Sequence, residues 1–165
     1  MTESELIEIL KNGVNTWNEW RRKNELHSPK LRRVFLHGAD LRGADLSNVD
    51  LSEATLSSTD LSGALLHGAN LSYADLDLAS LYEAKLHLAK LDGASLAGTN
   101  LIGADLRATN FIGADLREAN LERANLNGAS LYSAELTKAD LRNADLNDAN
   151  LNDTTLCSAN LSDAN

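Results

Sequence analysis

From residue 36 onward the apolar positions follow a five-residue beat. Leucine stands at every fifth position from Leu36 to Leu161, with Phe111 as the one substitute, giving 25 leucines in 26 positions. A second set, of small residues, runs beside it: alanine fills 21 of the 26 positions from Ala39 to Ala164, and Val49, Thr59, Thr99, Thr109 and Thr154 fill the others. A period of five advances about 140° around an α-helix and would scatter the leucines over every face. Being odd, it also reverses sides in a continuous strand. Residues two apart do share one side of an extended segment, so each alanine and the leucine that follows face inward together if the chain bends after the leucine. Each pentapeptide is then one short wall and one corner. Nine of the ten glycines, from Gly38 to Gly128, stand two residues after the inward leucine, at that corner.

The residue between the two inward positions is Asp or Asn in 17 of the 26 pentapeptides from Asp40 to Asn165. These types are unusual in a strand, and their short polar side chains suit hydrogen bonds to nearby backbone at a corner.

Ala39-Asp-Leu-Arg-Gly43, Ala69-Asn-Leu-Ser-Tyr73 and Ala124-Asn-Leu-Asn-Gly128 carry the A-(D/N)-L-x-x signature, and the chain from Ala39 to Asn165 resembles the pentapeptide-repeat proteins. The resemblance implies an all-β solenoid, a right-handed quadrilateral parallel β-helix in which four pentapeptides make one twenty-residue coil, here about 6.5 coils. With neighbouring strands about 4.8 Å apart the tower is roughly 30 Å tall. Core residues twenty apart, Leu91, Phe111 and Leu131, are expected to stack.

Residues 1–35 read differently from the repeat region, 36–165. Thr2 with Glu5 forms a capping box, and Leu6, Ile7, Leu10, Val14, Trp17 and Trp20 recur at helical spacing. The pattern predicts helix from about Glu3 to Asn24, broken at Gly13. A solenoid exposes the open edge of its first coil, so an N-terminal α-helical cap and connector is the expected role. A second expectation makes Arg21-Arg22-Lys23 and Arg32-Arg33, around Pro29, a docking surface for an acidic partner. At the other end, Ala159 to Asn165 carries no capping element; either the last coil frays or another subunit covers it. Topoisomerase-inhibiting members of the family dimerise through their C-terminal ends, which implies a homodimer through the open coil. This chain lacks the hydrophobic C-terminal helix those members use.

Charge is unevenly spread. The first 35 residues carry seven basic and five acidic side chains, while the rest carries eight basic and nineteen acidic, within a formal net charge of −9 for 165 residues. That balance argues against direct binding to nucleic acid, which needs a surplus of Lys and Arg. No stretch approaches the roughly 18 apolar residues of a membrane span, and the acidic start lacks the basic run of a secretory signal. The single cysteine makes neither a disulfide nor a zinc cluster. A cytoplasmic location without membrane contact is the expectation.

The residues give no sign of catalysis. His67 and His87 stand twenty apart in one column, but Ser47 and Arg107 continue it, so no third metal ligand is supplied. Cys157 reads as an incidental surface thiol, and no histidine falls into register with a serine and an aspartate. Neither metal nor cofactor is expected.

Function is sought instead where outward positions break the polar pattern. Leu65, His67, Lys85, His87, Leu88 and Arg107 do so on one face and form the candidate partner-binding surface; Tyr73, Leu78, Tyr82, Ile102, Ile112 and Tyr132 do so elsewhere. The leading expectation is a non-enzymatic protein-interaction scaffold or regulator whose protein partner is unidentified. The family, numerous in photosynthetic bacteria, includes regulators that act through protein contacts. It also implies an alternative, a DNA-mimicking inhibitor or protector of DNA gyrase or topoisomerase. Against mimicry, the column Asp45, Leu65, Lys85, Asp105, Asn125, Asp145 is interrupted, and Lys90 breaks its neighbour.

Overall fold

The computed structural model describes residues 2–24 and 28–165. Two helices open the chain, α1 (Glu3–Lys11) and α2 (Val14–Lys23), separated at Gly13, whose φ of 109° no helix accommodates. The capping box forms as read: the Thr2 hydroxyl accepts from the Glu5 N–H, and Glu5 Oε2 accepts from the Thr2 N–H at 2.7 Å.

Beyond them the backbone winds in twenty-residue turns. Among the described residues twenty-three parallel bridges, from Lys30–Asp50 to Asp140–Asn160, each join residues twenty apart. No wall extends into a strand, since each contributes one bridged residue before the next corner. The ladder is nonetheless regular: Leu46 N donates to Leu65 O at 2.7 Å, Leu65 N to Ala44 O at 2.9 Å, and Asn48 N to His67 O at 2.8 Å. The first bridge moves the start of the repeat geometry from the expected residue 36 back to Lys30. Leu31 and Val34, both buried, already occupy the two inward positions, while residues 25–27 of the expected N-terminal module lie outside the described residues.

The inward set fills the tower. Leu91, Phe111 and Leu131 are fully buried and held in register by the Lys90–Asn110 and Asn110–Ser130 bridges. Where threonine replaces alanine inside, its hydroxyl finds a carbonyl of the preceding coil: Thr59, Thr99 and Thr109 donate to Leu36, Leu76 and Leu86 O at 2.8, 2.8 and 2.9 Å. A buried hydroxyl without such a partner would be costly, and these are satisfied.

At each corner the N–H of the inward small residue closes on the preceding leucine carbonyl, as Ala104 N does on Leu101 O at 3.0 Å. The second corner residue has positive φ, the type II arrangement. Glycine supplies nine of these positions, and eighteen ordinary residues, among them Tyr73, Leu78 and Leu88, adopt the same left-handed conformation. Two glycines answer a second demand. A Cβ at Gly93 would come within 2.5 Å of the Tyr73 ring and one at Gly98 within 2.9 Å of Leu78, so these large side chains lie flat over the glycine of the next coil.

The predicted Asx bonds form throughout. At the wall position between the two inward residues, each of the sixteen Asp and Asn side chains from Asp40 to Asn160 accepts the N–H of the residue two positions on, at 3.0–3.4 Å. Glu135 does the same for Thr137 at 3.1 Å. The asparagines and aspartates thereby pin one wall to its next corner.

Helix α2 lies on the first coil. Trp17, fully buried, donates Nε1–H to Asp45 O at 2.7 Å; Asn18 accepts the Asp45 N–H at 2.8 Å and donates to Gly43 O at 3.0 Å; Arg21 donates to Ser47 O at 2.8 Å. In later coils the corresponding groups pair with backbone, as Leu65 O takes the Leu46 N–H. Side chains one helical turn apart thus serve backbone groups on the coil's edge. No helix among the described residues is long and apolar enough to cross a membrane.

Candidate interaction surface

Twenty-residue spacing places the bridged residues Asp45, Leu65, Lys85, Asp105, Asn125 and Asp145 up one wall, and residues 47–48, 67–68, 87–88 and 107–108 along its corner. Leu65 is 44% exposed and Leu88 50% exposed, large apolar groups on a tower whose outward residues are otherwise mostly polar. The His67 and His87 rings stack at 5.3 Å between centroids, and His87 Nδ1 lies 2.9 Å from Arg107 O. No group of three or more His, Cys, Asp or Glu among the described residues is arranged to hold a metal ion.

Arg107 is exposed yet electrically committed. Its Nε and terminal nitrogen grip the two Asp105 oxygens at 2.8 and 2.7 Å. The same two-pronged contact joins Arg42 to Asp40 and Arg117 to Asp115, and Arg142 bonds both oxygens of Asp140 while also reaching Glu122 at 2.9 Å. The short sequence Asp-Leu-Arg produces it, because the residues flanking the inward leucine lie side by side on the wall and corner. The arginine bond holds the Asp40 carboxyl at about 2, below the usual range, and lowers those of Asp105, Asp115 and Asp140 for the same reason.

Of the eight basic side chains from Leu36 to Asn165, Arg42, Arg107, Arg117, Arg123, Lys138 and Arg142 make ion pairs. Lys85 and Lys90 make none within 4.0 Å among the described residues. They stand on adjoining walls of one coil, either side of the corner formed by His87 and Leu88. Lys90 was legible in Lys85-Leu-His-Leu-Ala-Lys90, where every outward residue is basic, imidazole or apolar, but reading it only as a break in an acidic column hid it.

In the N-terminal basic cluster most of the charges have acidic partners, while Arg22 is exposed. Arg21 is buried against the first coil, with Asp45 at 3.7 Å; Lys23 pairs with Glu19; and Arg32 and Arg33 both grip Glu53, at 2.8 and 2.7 Å. Arg21 joins the helix to the coil and Arg32 and Arg33 join one coil to the next, while the Lys23 pair lies within α2. On another corner a shallow groove of about 490 Å³ runs past Leu78 and Gly98, with its ionic groups engaged, Arg117 by Asp115 and Glu118 by Lys138 at 2.9 Å. It offers no convergent free titratable groups.

Comparison with known families matches this chain to Pentapeptide repeats (8 copies) over residues 26–58, 59–98, 94–134 and 134–165. No curated protein matches the sequence. Among solved structures, QnrB1, a plasmid-mediated fluoroquinolone resistance protein, is similar with a TM-score of 0.63 at 18% identity, over 82% of this chain and 75% of that one. A pentapeptide repeat protein of the Arabidopsis thaliana thylakoid lumen is 28% identical over 60% of this chain and 66% of its own, with a TM-score of 0.48. HetL of the cyanobacterium Nostoc, involved in heterocyst differentiation regulation, is 29% identical over 88% and 94%, with a TM-score of 0.30.

Proposed function

The chain belongs to the pentapeptide-repeat family, and from that footing we propose that it is a non-enzymatic, cytoplasmic scaffold that binds a protein partner through the Leu65, His67, Lys85, His87, Leu88 face. The finer architecture in this reading is the family's: a right-handed, four-sided tower, here of about 6.5 coils. Helix α2 caps its first edge, a role supported by the bonds of Trp17, Asn18 and Arg21 to Gly43, Asp45 and Ser47. The observation that carries the function is the exposure of Leu65 and Leu88 beside two lysines that form no ion pair among the described residues, on a tower whose outward residues are mostly polar.

DNA mimicry fits less well. Asp40, Asp105, Asp115 and Asp140 are each neutralised by an arginine, so the outward carboxylates do not add up to a continuous phosphate-like row.

Affinity capture from the source cells, with the wild type and a Leu65→Ser/Leu88→Ser variant, tests the scaffold reading. Both are expected to melt alike, since these side chains already face water, and specific partners are expected to be lost from the variant only. A Tyr73→Ser/Tyr132→Ser variant, altered on a different corner, should retain them. Partners kept equally by all three proteins would sink this face as the binding surface.

A further inference from the structure

The face has a chemistry of its own, and we propose that it receives an acidic segment of the partner protein in which carboxylates bracket one large apolar side chain. The inference rests on the scaffold reading and specifies what that surface recognises.

Charge carries it. The repeat region holds nineteen acidic side chains against eight basic, so a free cation there would ordinarily find an acid nearby. Six of the eight do, most of them on a neighbouring carboxylate in the same or the adjoining coil. Lys85 and Lys90 are the two that form no ion pair within 4.0 Å among the described residues. Lys85 is bridged to Leu65 and Asp105, and Lys90 to Asn70 and Asn110; the one acid among these four is engaged by Arg107. Asp45, on the same wall, accepts from Ser47 N and faces Arg21. Asp92, two residues past Lys90, accepts from the Ser72 hydroxyl. Neither ammonium group forms an ion pair within 4.0 Å among the described residues, and the Asp105 carboxylate near Lys85 is already gripped by Arg107.

Their placement is specific. Between the two lysines the chain presents only His87 and Leu88, the first stacked on His67 and the second half-exposed in a left-handed corner. An apolar side chain seated on Leu88 and the imidazole stack would be flanked by cations on both walls. Such a site takes carboxylates at two points and a hydrocarbon group at the centre. Opposed charge would steer and orient the encounter, while the desolvated leucine contact would hold it. A nucleic acid supplies the negative charge but no aliphatic side chain, so the exposed leucines favour a peptide.

Fluorescence anisotropy with a labelled synthetic peptide of glutamates around a central leucine tests the proposal directly, on the full chain. The wild type is expected to bind it, more weakly as salt rises. Lys85→Glu/Lys90→Glu should weaken binding by about tenfold or more, and Lys85→Gln/Lys90→Gln by less. Lys138→Glu, on another corner, should bind as wild type, and thermal melts should show all these proteins folded. An all-glutamate peptide should bind less tightly than the leucine-bearing one. Failure of the wild type to bind the acidic peptide, equal binding by the charge-reversed variant, or tighter binding of a labelled DNA duplex each overturns the proposal. In the capture experiment, partners lost with Leu65→Ser/Leu88→Ser but kept with Lys85→Glu/Lys90→Glu would contradict the acidic partner while leaving the scaffold reading intact.

Discussion

Leu106→Asp is expected to abolish the cooperative melting of this protein or to lower its midpoint by roughly 10–20 °C, whereas Arg107→Asp, one residue on, leaves it nearly unchanged. Leu106 is fully buried, its N–H is bonded to Asn125 O at 2.8 Å, and its side chain lies among other inward leucines and alanines. A carboxylate there meets neither water nor a cation, and an unpaired buried charge costs several kcal/mol, about 5 or more. Arg107 faces solvent. Its replacement by Asp removes an exposed pair with Asp105 and adds a nearby like charge, effects that solvent largely screens. Circular dichroism melts of the two variants make the comparison, and similar midpoints would show that the inward register is misassigned.

Trp17→Ala is the second large effect. The ring is fully buried, its centroid 5.3 Å from that of Trp20, and its N–H serves the Asp45 carbonyl. Truncation removes apolar burial, leaves a cavity and strands that carbonyl, together worth about 3–5 kcal/mol. The midpoint should fall by roughly 10–15 °C. Trp17→Phe keeps most of the packing and loses the hydrogen bond, so its loss should be nearer 1–2 kcal/mol. An unchanged midpoint for Trp17→Ala would mean that α2 adds nothing to the stability of the first coil.

The inward set from Leu36 to Leu161 could be read from the sequence because a five-residue beat of leucine and alanine fits neither helix nor strand. Hand and number of sides could not, since spacing is blind to both; they came from resemblance to a family. The earliest turn of the repeat was hidden because the A-(D/N)-L-x-x signature begins only at Ala39, although Leu31 and Val34 already keep the inward beat. The left-handed corners at Tyr73 and Leu78 were equally illegible: ordinary side chains seldom adopt positive φ, and here the ladder on both sides imposes it.

At the candidate surface, exposure of Leu65 and Leu88 followed from register alone. The charges did not, because a side chain's partner lies on the wall beside it or on the next coil. Arg107, expected in the partner-binding surface, is held by Asp105; Arg21, expected in a docking surface, is buried; Lys90, an interruption in an acidic column, forms no ion pair among the described residues. Each correction depends on which carboxylate lies within reach, a property of the folded tower.

Excising residues 86–105, one whole turn, tests most directly the claim that the tower is a scaffold separable from the surface it carries. Joining Lys85 to Leu106 keeps every inward residue in register and removes His87, Leu88 and Lys90. The expected product is a shorter protein that still melts cooperatively and no longer binds the glutamate–leucine peptide. A protein that fails to fold would contradict the twenty-residue turn, and one that folds and binds as before would contradict the corner between Lys85 and Lys90.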